Sequence, residues 1–260
     1  MLGRAVVIAV SLVGCSSTSS GAGGSGGGGS PEASSSHATT TSGTNVGTNG
    51  SASGTTGSAT TGGGPPMYQT DFDATESPIS ENGSWVHVGI DWTLVDTANG
   101  IAFGTQTGNG GYDDSYAHLT GFPSDQTASA IIHRDAVIDG NCTHEVEILL
   151  RWSDAAHDAH GYECNLAYDG SYAQIVRWNG PFGDFTYIGS GSVPGGVADG
   201  DVLSASAIGD MITLSVNGVV VATATDSTFP TGDPGIGLWR GAACGTQGDY
   251  GFTHFEATSQ

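Results

Sequence analysis

The chain has 260 residues, with 44 glycines, 4 cysteines, 5 arginines and no lysine against 26 carboxylates, for a formal net charge of −21. Such a balance repels nucleic acid and anionic membrane faces, so neither is an expected partner through charge. Only Arg4 and Glu32 are charged before residue 66, so the acidity belongs to the remaining ~195 residues, enough for one domain with its own core.

Residues 1–14 read as a signal peptide. Arg4 supplies a positive start, and residues 5–13 form an apolar run broken only by Ser11, too short to span a bilayer. The run Leu12-Val13-Gly14-Cys15 resembles the lipobox of bacterial lipoproteins. That resemblance implies cleavage before Cys15 and a diacylglycerol on its thiol, which makes the membrane a partner through a lipid anchor. Ser16, rather than aspartate, follows the cysteine, which points to the outer membrane or cell surface within the cell envelope. Residues 16–65 are almost wholly Gly, Ser, Thr and Ala without an aromatic residue. They cannot bury enough apolar surface to offset chain entropy and are expected to be a disordered tether, spanning roughly 35 to 42 Å. The expected organisation is therefore a signal peptide at 1–14, a lipidated tether at 15–65 and a folded domain at 66–260.

Beyond residue 66 no stretch of ten residues carries helical periodicity, while short alternating or β-branched runs recur between Gly, Asp, Asn and Pro. That spacing predicts an all-β sandwich or barrel. Strands are expected at 84–88, 92–95, 100–104, 127–133, 143–152, 161–168, 171–178 and 185–188, then at 202–208, 211–216, 219–225, 235–239 and 250–257. Asp169-Gly170 and Asn217-Gly218 carry the chemistry of type I′ hairpin turns, which need positive φ at both central positions.

The first of these turns assigns faces. A two-residue turn there pairs Asn165 with Gln174 and Glu163 with Val176, so Tyr162, Cys164, Leu166, Ala173 and Ile175 share the core. Glu163, Asn165, Tyr172, Gln174 and Trp178 take the other face. In the preceding strand Val146, Ile148, Leu150 and Trp152 form the apolar set, leaving Glu145, Glu147, Leu149 and Arg151 opposite. If the strands are neighbours, one face displays carboxylates, amides, an arginine and two aromatics. Such a mixture suits a sugar, because rings stack on C–H faces while carboxylates and amides bond hydroxyls. The competing reading is a solvated outer face, which is polar in any antiparallel sheet.

The runs Gly161-Tyr162-Glu163, Gln174 to Gly180, Asp199-Gly200-Asp201, Val216-Asn217-Gly218 and Pro234-Gly235-Ile236-Gly237 together resemble the concanavalin A-like lectin and glucanase superfamily, which includes laminin G modules, over about residues 68–257. The resemblance implies a two-sheet antiparallel jelly roll whose concave face binds or cleaves glycans. In family-16-like glucanases one strand carries Glu-x-Asp-x-x-Glu, and Glu145-Val146-Glu147-Ile148-Leu149-Leu150 is similar but lacks the last carboxylate. An enzyme of this pattern would use Glu145 as nucleophile or base and Glu163 as acid, roughly 5 to 5.5 Å apart for a retaining reaction. The leading expectation is a surface-anchored glycan-binding or adhesive module, with Glu147, Arg151, Asn165, Tyr172, Gln174 and Trp178 as contacts. A polysaccharide hydrolase or lyase, and a structural or protein-binding surface domain, stand as alternatives.

No cofactor is required. Asp71, Asp73, Asp249 and Glu256 flank the first and last strands, where the resemblance allows structural calcium. Asp154, His157, Asp158 and His160 read as a hydrated loop in preference to a metal site. With Cys15 lipidated, Cys142, Cys164 and Cys244 form at most one disulfide. The strand register sets Cys142 too far along from Cys164 for a bridge, so Cys142 with Cys244 is the expected pair.

Overall fold

A computed structural model describes residues 67–107, 111–135, 144–241 and 245–260. The expected signal peptide, Cys15, the tether and the Cys142–Cys244 pair lie outside these residues.

Among the described residues fourteen strands follow in chain order: β1 (Met67–Thr70), β2 (Thr93–Ala98), β3 (Ile101–Gly104), β4 (Ser115–His118), β5 (Gln126–Arg134), β6 (His144–Ala155) and β7 (Asp158–Ala167). The second half adds β8 (Ala173–Pro181), β9 (Phe185–Gly191), β10 (Val202–Ile208), β11 (Met211–Val216), β12 (Val219–Thr225), β13 (Asp233–Arg240) and β14 (Tyr250–Ser259). One sheet runs β12-β11-β10-β5-β14, with β1 and β3 sharing the far edge of β14 and β2 beyond β3. The other runs β4-β13-β6-β7-β8-β9. β2 also pairs in parallel with β4, so it joins the two layers along one edge. The fold is an all-β two-sheet sandwich of the jelly-roll kind.

Period-2 alternation explains the core. Val146, Ile148 and Leu150 of β6, Tyr162, Cys164 and Leu166 of β7, and Ala173 and Ile175 of β8 point inward. They meet small residues of the opposite sheet, among them Ala128, Ala130, Ala205 and Ala207, and the rings of Phe252 and Phe255. Large side chains on one layer thus fill the space that alanines leave on the other. Cys164 is free and buried, and burial raises its thiol pKa.

Several expectations need correction. The 84–88 segment makes only an isolated bridge, Val86 with His118, while β1 and β4 are strands without a forecast. At Asn217-Gly218 both residues take positive φ, 50° and 75°, as a type I′ turn requires. Of Asp169-Gly170 only the glycine does, at 74°, and pairing closes at Leu166 with Ala173. The wider loop still leaves Asn165 opposite Gln174 and Glu163 opposite Val176. The segment expected to be a loop around 154–160 is instead a hairpin, with Ala155 paired to Asp158.

The largest departure is in β6. A bulge between Leu150 and Ser153 puts Arg151 in the left-handed region at φ 49°. An extra residue inverts the alternation beyond it. Trp152 therefore joins Leu149 on the outer face, in a second apolar cluster with Trp92, Tyr116, Ala159, Val176 and Trp178.

Candidate functional site

The outer face of the sheet β4-β13-β6-β7-β8-β9 holds a groove of about 290 Å³. Its floor comes from β6, β7 and β8, where alternation brings Glu145, Glu163, Asn165, Gln174, Val176 and Trp178 to one side. Trp239 of β13, paired with Glu145, forms one wall. Phe185 and Tyr187 of β9 form the other, paired with Trp178 and Val176. Tyr112 closes over the groove, 5.0 Å from Phe185 between ring centroids, and its neighbour Gly111 accepts a hydrogen bond from Trp239 Nε1 at 3.1 Å. The apolar cluster around Trp92 and Trp152 continues the same face and packs on Trp178, 5.8 Å from Trp92.

Carboxylates concentrate at the floor. Among the described residues, Glu145, Glu147 and Glu163 are the acidic group whose ligand oxygens all lie within 4.8 Å of one another. Asp114 lines the same groove. Glu147 sits beneath the floor at 1% exposure, over Gly237 of the paired strand β13. Gly237 leaves room for that carboxylate, because a Cβ there would lie 2.0 Å from Glu147 Oε2 and displace it.

Two of the three glutamates are held by donors. Glu163 accepts Trp178 Nε1 on one oxygen and Asn165 Nδ2 at 2.7 Å on the other. Glu145 accepts the Tyr172 hydroxyl. Glu147 Oε1 and Asn165 Oδ1 are buried without a hydrogen-bond partner, which is costly unless something else satisfies them. No ion pair reaches Glu145, Glu147, Glu163 or Asp114 among the described residues. Burial raises all four carboxyl pKa values, Glu145 to about 8, and repulsion from neighbouring carboxylates adds to the rise at Asp114, Glu145 and Glu147. At Glu163 the bonds from Trp178 and Asn165 offset part of that rise.

Of the residues singled out from sequence, Glu145, Glu163, Asn165, Tyr172, Gln174 and Trp178 come together here, with Glu147 directly below. Trp178 is 2% exposed, so it is a packed ring, not the solvent-facing one that the sequence suggested. Arg151 does not line the groove. Its guanidinium donates to the carbonyls of Ser124, Phe229 and Gly209 and to Asp125. The bulge turns it toward the opposite sheet's connecting turns, where it serves as a structural tie.

Asp154, His157, Asp158 and His160 form no common cluster. Asp154 pairs with His118 at 3.1 Å and accepts from the Tyr116 hydroxyl, while His157 pairs with Asp91. Near the chain ends Asp71 pairs with His254, Glu256 accepts from Ser129 and Asp249 from the Thr246 N–H. Sequence reasoning missed Tyr112, Asp114, Phe185, Tyr187 and Trp239. Alternation within the expected 235–239 strand sets Trp239 on the face of Gly237, but only the pairing of β13 with β6 makes that the groove's face.

No family model matches the chain, and no curated protein does. Among solved structures it is similar to the carbohydrate binding module CBM66 from Bacillus subtilis, at 19% identity and a TM-score of 0.48, covering 71% of this chain and 96% of that one. The beta-porphyranase BpGH16B from Bacteroides plebeius is similar at 8% identity and a TM-score of 0.43, over 74% of this chain and 89% of that one. The GH43 protein BlXynB from Bacillus licheniformis is similar at 12% identity and a TM-score of 0.50 over 74% of this chain, and the match spans 39% of that protein. At such identities the likeness is one of fold, the two-sheet β-sandwich described above.

Proposed function

We propose that the groove on the outer face binds a glycan, and that a lipid anchor on Cys15 with the tether of residues 16–65 presents it at the cell surface. The observation that carries this reading is the pairing of aromatic walls, Trp239, Phe185, Tyr187 and Tyr112, with a floor of carboxylates and amides. Rings cover the C–H faces of a pyranose, and the floor takes its hydroxyls. A screen of the full chain against immobilised neutral and acidic glycans tests it. Binding is expected, weakened at least tenfold by Trp239→Ala; a chain that binds none of them overturns the reading. Anchoring is tested separately by Cys15→Ala, which should move the protein from washed membranes to the soluble fraction.

A second reading, glycoside hydrolysis, is favoured by one observation, the approach of Glu145 and Glu163 oxygens to within 4.8 Å. Carboxyl groups that near one another suit a retaining pair better than the roughly 6.5 to 9.5 Å of an inverting one. The environments would exchange the roles expected from sequence. Glu163, held by two donors, is the better nucleophile, and Glu145, with its raised pKa, the better acid. Loss of turnover in Glu163→Gln with unchanged glycan affinity would establish it.

A further inference from the structure

Three carboxylates in one site, two of them buried and Glu145 half-buried, need protons or a cation, because removing several like charges from water costs far more than their packing returns. No cationic side chain supplies the charge among the described residues: Glu145, Glu147 and Glu163 make no ion pair. A second observation points to a ligand. Asn165 stands opposite Glu147 on the neighbouring strand and lines the groove. It is 4% exposed, and its Oδ1 has no hydrogen-bond partner, like Glu147 Oε1 beside it. Two oxygens that accept nothing from the protein, next to three carboxylates, form an unfinished coordination set.

We infer that Glu145, Glu147 and Glu163, with the Asn165 carbonyl oxygen, hold one divalent cation of the calcium type at the floor of the groove. The donor set supports calcium over its rivals. Three carboxylates with an amide carbonyl suit the oxygen-rich sphere of Ca²⁺, whereas Mg²⁺ keeps several waters and is usually held by one or two carboxylates. The acidic oxygens lie within 4.8 Å of one another, close enough to share one such ion. An all-oxygen set without histidine or thiolate also argues against zinc and copper. Trp178, Asn165 and Tyr172 orient the ligating carboxylates by hydrogen bonds, the role that outer partners have in metal sites generally. Glu147 closes the inner side, so the ion's open positions face the groove, where hydroxyl oxygens of a bound sugar complete its coordination. That last step rests on the glycan reading; the cation site itself does not.

The test uses the full chain after exhaustive chelation, at physiological ionic strength so that the exposed acidic surface is screened. Two probes report: the melting temperature against added Ca²⁺ or Mg²⁺, and terbium emission excited through tryptophan, for which Trp178 lies against Glu163. We expect a saturable one-to-one terbium signal, displaced by Ca²⁺ at lower concentration than by Mg²⁺, and a rise in melting temperature with Ca²⁺. Glu147→Gln should lose both by at least tenfold in affinity, and its chelated form should melt no lower than the wild type because a buried charge is gone. Asp210→Asn, on an exposed turn, should bind as the wild type does. If Glu147→Gln fails to fold, Glu145→Gln decides by the same signals. Absence of saturable binding, or saturable binding that these glutamine variants leave intact, overturns the inference. Tyr187→Ala separates it from the glycan reading: loss of glycan with terbium retained upholds the cation site, and a chain that binds terbium but no glycan overturns only the glycan part.

Discussion

The two faces of the sheet β4-β13-β6-β7-β8-β9 both bury side chains, and by opposite chemistry. Inward, Val146, Ile148, Leu150, Cys164, Leu166 and Ile175 contribute apolar surface and leave no polar atom to satisfy. Outward, the same strands bury Glu147, Glu163 and Asn165, which need partners that the protein only partly supplies. The inner face is what any sandwich needs to fold. The outer face lowers stability to the extent that neither water nor a ligand completes it, and a local conflict of this kind is where function is expected.

The comparison is broken most severely from the inner side. Ile175→Ala should leave a cavity against the opposite sheet and destabilise by about 2 to 5 kcal/mol. Chemical denaturation would measure it. A loss as small as that of an exposed residue would mean that the two faces have been exchanged.

Arg151→Ala should follow, costing about 3 kcal/mol by stripping a buried guanidinium from several carbonyl acceptors. Glycan affinity of the folded variant should be unchanged, because Arg151 faces away from the groove. A selective loss of binding would return Arg151 to the site where the sequence placed it.

That misplacement shows what the sequence could and could not carry. Alternation and the turn at Asp169-Gly170 were enough to bring Glu163, Asn165, Gln174 and Trp178 to one face, because a hairpin's pairing survives a change in loop width. The bulge at Arg151 was not legible. Arginine has no special liking for φ 49°, and its contacts to Ser124, Gly209 and Phe229 are known only once both sheets are in place. β4 was hidden for another reason: all four of its residues, Ser115–His118, are buried, so it lacks the alternation that marks a half-exposed strand. The walls built by Trp239, Tyr187 and Tyr112 depend on pairings between strands distant in the chain, which no local pattern encodes.

A smaller effect is expected at Asp154, on the outer face beyond the bulge. Burial alone would raise its pKa, but hydrogen bonds from His118, the Val88 N–H and the Tyr116 hydroxyl, with the charge of His118, hold it well below the usual carboxylate range. A carboxylate depressed in the folded state stabilises above its unfolded pKa, and that contribution is lost as pH falls toward the folded value. Asp154→Asn should therefore cost about 1 to 2 kcal/mol near neutrality. The gap to wild type should close below about pH 4. Thermal melts across that range would show it, and a gap that widens on acidification would contradict the pairing.

The smallest expected change in stability belongs to a residue that is still expected to contribute to binding. Tyr187 and Trp178 are rings of the same groove, and Phe185 touches both, at centroid distances of 5.3 Å. Trp178 is clamped by its bond to Glu163 and by Trp92 and Trp152, so replacing it confounds folding with binding. Tyr187 is 59% exposed and forms no side-chain hydrogen bond among the described residues. Tyr187→Ala should shift stability by no more than about 0.5 kcal/mol. It should nevertheless weaken a stacked sugar by about 0.5 to 1.5 kcal/mol, the scale of one ring contact. Calorimetric titration of the glycan alongside a denaturation curve measures both quantities on one sample. A variant that binds as tightly as wild type would show that the outer wall does not touch the ligand and would confine recognition to the carboxylate floor.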